Sequence, residues 1–295
     1  MFNLTLWRPA MIAVATVTAL AAGGGAAYAA DMPSTAPVST GPGSVIYATG
    51  VHASAVQSIR SSSPAGTLSL KTTDAYAADQ TSTNWSGYVT PADAGAYQAT
   101  STTFTVPTSI SCTHTDTASS FWAGLDGADP NDNTVEQDGV EADCTDGSLS
   151  MYAWLETFPA AEQEIVSTTG VPAPVERGDV FTSTVTEDSP SEYTFAMDDE
   201  TQGWNINTRL QMPIGFTAED ETSEVITEAT TDCTSSSESS CTVMPITDFG
   251  KIAYTSASYN VGTDYTSSNT TPIELEQNGR LTLQWGHWEQ AAHSR

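Results

Sequence analysis

The sequence predicts an all-β protein, an antiparallel sandwich or barrel formed by one domain over residues 81–295. From residue 80 onward, short segments alternate apolar and polar residues at period two and show no helical stripe. Thr, Val, Tyr and Trp, which suit a pleated half-buried surface, are abundant there. Gly, Pro, Asn and Asp punctuate the segments, and neither a strand–helix–strand alternation nor a Gly-rich phosphate loop is present. No repeat of solenoid or propeller period occurs.

The chain starts with one positive charge, Arg8, ahead of an apolar run from Pro9 to Leu20, and Ala27-Tyr28-Ala29 follows with small residues where a signal peptidase cuts. Residues 1–29 therefore read as a cleaved secretory signal. Gly23-Gly24-Gly25 breaks the run short of the roughly 20 apolar residues a membrane helix needs. The expectation is a secreted, extracellular protein with no membrane segment after cleavage. Residues 30–80 are rich in Ser, Thr, Ala, Gly and Pro and hold no core-forming run, as in a prosegment or a disordered linker. The abrupt change at Thr83-Asn84-Trp85 favours the prosegment. Beyond it, the alternating segments are Ala99 to Val106, Met151 to Phe158, Val180 to Thr186, Tyr193 to Met197, Lys251 to Ala257 and Leu281 to Trp285.

Four cysteines, Cys112, Cys144, Cys233 and Cys241, form an even set, which in an exported chain favours two disulfides. Of the three possible pairings, Cys112 with Cys144 and Cys233 with Cys241 are expected. The second closes a Ser-rich loop, Thr234 to Ser240, that has little else to order it. No pair shows C-x-x-C spacing, so neither a zinc site nor any other metal or cofactor is expected.

The 36 Asp+Glu against 8 Lys+Arg leave a net charge of -28. Nucleic acid, whose binding needs clustered cations, is therefore not an expected partner. Its self-repulsion relaxes only toward pH 4, where carboxylates protonate, and this points to an acidic workplace. Charge kept simply for solubility is the alternative.

On a strand, residues i and i+2 share a face. Trp154, Glu156 and Phe158 then project together, as do Glu224, Ile226 and Glu228. Carboxylates mixed with apolar groups suit a cleft better than a sealed core. Common hydrolase signatures are missing: no G-x-S-x-G, no H-E-x-x-H and no D-[ST]-G, Asp146-Gly147-Ser148 reading as a turn. The histidines His52, His114, His287 and His293 would be protonated in acid and useless as bases.

Several motifs then occur in one order: Asn84-Trp85-Ser86-Gly87-Tyr88; Phe121-Trp122-Ala123-Gly124-Leu125-Asp126-Gly127; Glu136-Gln137-Asp138-Gly139-Val140; Tyr152-Ala153-Trp154-Leu155-Glu156-Thr157-Phe158-Pro159; Arg177-Gly178-Asp179; Thr222-Ser223-Glu224-Val225-Ile226-Thr227-Glu228; and Asp248-Phe249-Gly250. In this order they resemble the glutamic peptidases, or eqolisins. The resemblance implies a β-sandwich of two large antiparallel sheets, concanavalin- or jelly-roll-like, with polypeptide substrate lying across a concave face. It also implies a catalytic pair, Gln137 and Glu224. A glutamate of ordinary pKa, about 4.3, is partly ionised near pH 4 and can take a proton from water and return it to a leaving amine. A glutamine offers N–H donors at any pH to water and to a developing oxyanion. Trp122 and Glu156 are candidate cleft residues, Trp85 a scaffold residue beside them, Asp126 a structural turn residue and Glu228 a neighbour. A monomer is expected.

The main rival is a secreted glycoside hydrolase or carbohydrate-binding sandwich, for which Glu141, Asp143 and Asp146 approximate an E-x-D-x-x-E strand motif. A calcium-dependent lectin would use Asp129-Pro130-Asn131-Asp132-Asn133, which lacks EF-hand spacing. Asn84 and Asn269 stand in glycosylation sequons.

Overall fold

Burial alternates along the strands Ala99–Thr105, Val180–Ser189, Glu192–Asp199 and Trp204–Gln211 of the computed structural model, as a sheet with one face against a core requires. The structure describes residues 45–49, 59–61, 80–129, 132–233, 241–260, 262–266, 268–277 and 280–283. Its strands are β1 (Val45–Thr49), β2 (Ile59–Ser61), β3 (Gln80–Ser82), β4 (Trp85–Pro91), β5 (Ala99–Thr105), β6 (Thr117–Leu125), β7 (Val135–Thr145), β8 (Ser148–Phe158), β9 (Gln163–Ser167), β10 (Val180–Ser189), β11 (Glu192–Asp199), β12 (Trp204–Gln211), β13 (Thr222–Glu228), β14 (Thr231–Cys233), β15 (Cys241–Val243), β16 (Tyr254–Tyr259), β17 (Thr263–Asp264), β18 (Thr271–Gln277) and β19 (Arg280–Leu283). Among the described residues there is no helix.

Two antiparallel sheets carry the fold. One has the order β17-β16-β5-β10-β11-β12 and the other β9-β8-β7-β6-β13-β4-β18-β19. β1 bridges their edges, parallel to β12 and antiparallel to β9, and β3 lies parallel to β18. A small ladder, β15-β14-β2, stands apart.

Between the sheets lies the larger core. Phe121, Leu125, Val140, Leu155 and Val225 from the second sheet pack with Phe104, Phe181, Phe195, Trp204 and Tyr254 from the first. Each such side chain gives about 1.5–3 kcal/mol on burial. The opposite face of the second sheet carries its own cluster, Trp85, Val89, Trp122, Trp154, Phe158, Ile226 and Ile273. That sheet is thus buried on both faces, which explains why every residue of β13 is buried and none alternates.

Most of the expected strands form. The Lys251 to Ala257 segment is corrected: β16 starts only at Tyr254, because Gly250 at φ 76° turns the chain just before it. Leu281 to Trp285 begins one residue earlier, in β19, and its last two residues lie outside the described set. The 1–29 signal and the 234–240 loop lie outside it too. Two short strands, β1 and β2, fall within 30–80, where the sequence pattern marked none.

Both disulfides are present as paired, Cys112–Cys144 and Cys233–Cys241. The first links residues 32 apart and joins the approach to β6 to the end of β7, a constraint on the unfolded chain worth about 3–4 kcal/mol in the loop-entropy picture.

Interior acids set the pH range of the fold. Asp138 on β7 points into the sandwich with no exposed surface, accepting a hydrogen bond from the Ser183 hydroxyl of β10. Burial pushes it up to about 8, the Ser183 bond opposing the rise. Since its folded pKa exceeds the unfolded one, the folded form holds the extra proton. The resulting stability is complete below about pH 4 and is lost as pH climbs to about 8. At about 1.4 kcal/mol per pKa unit, the loss is on the order of a few kcal/mol. Urea melts at pH 4 and pH 8 should therefore show wild type weakening with pH, and Asp138→Asn weakening much less. Parallel losses in the two proteins would exclude Asp138 as the cause.

Candidate active site

Register brings the motif residues together. Glu224 on β13 pairs with Gly124 on β6, Gly124 with Gln137 on β7, and Gln137 with Glu156 on β8. One row crosses four strands, all its side chains on the face away from the partner sheet, as the alternation with inward Val225, Leu125, Val140 and Leu155 requires. Glu224 and Gln137 are thus two strand spacings apart, roughly 9–10 Å between Cα atoms. Gly124 supplies the gap, because any side chain there would stand between carboxyl and carboxamide. A Cβ at Gly124 would also lie 2.8 Å from the Trp122 ring and 3.1 Å from the Gln137 Cβ.

Each functional group is held. Gln137 donates from Nε2 to Glu156 Oε2 at 2.9 Å, which fixes the plane of its amide. Trp122 lies in the next row, Ile226–Trp122–Gly139–Trp154. Its Nε1 donates to Glu228 Oε2 at 3.1 Å, and Asn84 Nδ2 donates to Glu228 Oε1 at 3.2 Å. Trp85 meets the Trp122 ring edge-on, centroids 4.9 Å apart. Trp85, Trp122 and Glu228 form an anchored wall beside the row, and Asn84, at 1% exposure, cannot be a glycosylation site in this fold.

Asp126 does something else. At φ 69° it turns the chain out of β6, and its carboxylate accepts backbone N–H bonds from Glu219 at 2.9 Å, Asp220 at 2.8 Å and Glu221 at 2.9 Å. It clamps the loop that leads into β13 to the end of β6, and so sets Glu224 opposite Gly124.

The row is closed to solvent: Gln137, Glu156 and Glu224 have no exposed surface. The mixed acid and apolar face that suggested an open cleft is covered in this structure. Burial, followed by the charge of Asp126, lifts Glu224 well above the usual carboxylate range. The Thr222 hydroxyl, near but outside hydrogen-bond geometry, opposes the rise. Glu141 shares the face and accepts from the Thr230 hydroxyl at 2.8 Å; it too is raised, by burial and then by Asp143. Asp146, third acid of the rival sugar motif, sits outside the strand in the β7–β8 turn at φ 52°. His114 is exposed, outside the buried row. Pro130 and Asn131 of the lectin-type loop lie outside the described residues.

Gly124 stands inside the Phe121–Gly127 motif with no chemistry of its own, yet the row depends on it. The signal that could have marked it is the strand parity of Phe121 to Leu125, which puts position 124 on the same face as Trp122.

A family pattern described as the peptidase A4 family matches residues 83–287. Among solved structures, the fold resembles scytalido-glutamic peptidase with a transition state analog inhibitor, at TM-score 0.58 and 20% identity over 68% of this chain and 91% of that one. It also resembles SCP-B, a member of the eqolisin family in complex with the tripeptide Ala-Ile-His, at TM-score 0.54 and 20% identity over 68% of this chain and 90% of that one. No curated protein sequence matches.

Gly139 lies between Trp122 and Trp154, and a Cβ there would come 2.3 Å from the Phe121 carbonyl oxygen and 2.6 Å from the Trp122 Cβ. Backbone cannot yield cheaply, so Gly139→Ala should cost at least the roughly 1–3 kcal/mol of ordinary overpacking. Thermal unfolding at pH 4 reads this as a lower Tm, and an unchanged Tm would show that the wall can relax.

Proposed function

The chain belongs to the peptidase A4 family, the glutamic peptidases, and from the row Glu224–Gly124–Gln137–Glu156 we propose that it is a secreted acid endopeptidase cutting polypeptides with a Glu224/Gln137 pair. The single observation that carries this is the register that sets a carboxyl and a carboxamide on one face with a glycine between them.

In the proposed reaction, a water held over Gly124 gives a proton to the Glu224 carboxylate as its oxygen bonds to the scissile carbonyl carbon. Electrons move onto the carbonyl oxygen, and a Gln137 N–H bonds to that oxyanion. Glu224, now protonated, returns the proton to the departing amine as the C–N bond breaks and the carbonyl re-forms. Glu156 keeps the Gln137 amide oriented throughout.

This chemistry needs Glu224 ionised for the first step. In the closed row its raised pKa keeps it protonated in acid. Contact with water would return it toward the ordinary value of about 4.3. We therefore read residues 30–80 as a prosegment whose removal exposes the row. Two observations support that reading. The row is wholly buried here, and strands β1 and β2 of that segment pair with β9, beside the Glu156 strand, and with β14, just past β13.

Cleavage of a denatured protein substrate should be confined to acid, insensitive to pepstatin, and lost in Glu224→Ala; Gln137→Ala should cost roughly 100- to 1,000-fold in rate, as for other oxyanion donors. Full activity in either variant rules out the pair. Gly124→Ala, which fills the gap, should lose activity out of proportion to any fall in Tm. N-terminal sequencing of fully active secreted enzyme should start near residue 80, and an intact 30–80 segment on such enzyme would overturn the prosegment reading.

A further inference from the structure

The alternation that turns Gln137 toward Gly124 turns Glu136 the other way, into the body of the sandwich. There its carboxylate meets two more. Oxygens of Asp126, Glu136 and Asp220 all lie within 4.8 Å of one another, and the three residues are at most 4% exposed. Buried acids this close require compensation. Asp126 has some, from the three backbone N–H groups that bind it, and Asp220 Oδ1 accepts the Tyr193 hydroxyl at 2.7 Å. Glu136 has none: it has no exposed surface, and neither carboxylate oxygen has a hydrogen-bond partner among the described residues. Nor does any described Lys or Arg form an ion pair with the three. Asp132 adds a further negative charge nearby.

We propose that Asp126, Glu136 and Asp220 form a divalent-cation site, suited above all to calcium. All donors are oxygen, which selects hard cations over those that seek nitrogen or sulfur. Calcium holds oxygens at about 2.3–2.6 Å, so ligands of one ion stand at most roughly 4.6–5.2 Å apart, and oxygens that all lie within 4.8 Å of one another are close enough to share one. Magnesium dehydrates reluctantly and is seldom held by an all-protein cage of carboxylates. The free oxygens of Glu136 give the ion a ligand that nothing else claims.

The site is structural and separate from the catalytic pair, because it lies on the other face of β7. Its ligands come from the exit of β6, the first turns of β7 and the loop before β13. Those are the segments that hold Gly124, Gln137 and Glu224 in register. A bound ion would cross-link them, so the inference goes beyond the proposed peptidase reading and stands or falls independently of it.

The test uses the purified protein, stripped with a chelator and titrated with calcium chloride at pH 7. Isothermal calorimetry and thermal unfolding are read in parallel, with sodium chloride at matched ionic strength as control. Wild type should show one saturable binding event and a Tm rise of several degrees at saturation. Glu136→Gln, which keeps the shape and removes the charge, should lose both, and so should Asp220→Asn, which serves if the first variant does not fold. The rise should shrink at pH 4, since protons compete for the same oxygens. No calcium-dependent heat or Tm shift in wild type overturns the site, leaving carboxyl groups that share protons. An undiminished response in both variants overturns it as well, placing the ion elsewhere.

Discussion

A missing side chain organises the site. Gly124 lies in the ladder between the strand that carries Glu224 and the strand that carries Gln137, so acid and amide face each other across a gap of one residue. A sheet supplies such spacing rigidly, because neighbouring strands are fixed at about 4.8 Å by their hydrogen bonds. The remaining architecture serves that row. The sandwich core fixes the inward side of the same strands, the Trp85–Trp122 contact and buried Glu228 wall one flank, Glu156 orients the amide, and Asp126 fastens the entry to β13.

Burial of acids is the other theme. Asp138, Asp126 and Asp220 are pushed up to about 8, 7 and 6 by loss of solvent, with neighbouring carboxylates adding to the latter two. A fold with such groups inside is at ease where they hold protons and strained where they do not. The strongly negative composition, -28, thus reaches beyond the surface: part of the acid content is interior and tunes the molecule to low pH. Ordinary cores avoid such groups. Here Asp126 and Asp220 stand beside the ends of β6 and β13, and Asp138 lies within β7, on the strand that carries Gln137.

Strand type and face assignment were legible in the sequence because both rest on local alternation. Glu224, Ile226 and Glu228 do share a face, as do Trp154, Glu156 and Phe158. The partnership of Gln137 with Glu224 came from motif resemblance alone. Their pairing runs through Gly124 and depends on ladders between segments separated by most of the domain, which no local pattern encodes. Two local signals went unused. Glu136 and Asp138 flank Gln137 on the same strand, so parity places both acids in the core, an anomaly visible in five consecutive letters. β1 and β2 lie in a Ser/Thr/Ala-rich stretch as short pieces recruited by existing strand edges, at β9, β12 and β14, and Val45-Ile46-Tyr47, three strand formers in a row, is the local signal for β1.

The most direct measurement is a crystal structure of the processed enzyme with a peptide whose scissile carbonyl is replaced by a tetrahedral mimic. The tetrahedral centre should sit over Gly124, one oxygen on Glu224 and one on the Gln137 amide nitrogen. A mimic seated at Glu141 and Asp143, or one that leaves Gln137 and Glu224 untouched, would contradict the assignment of this row as the catalytic centre.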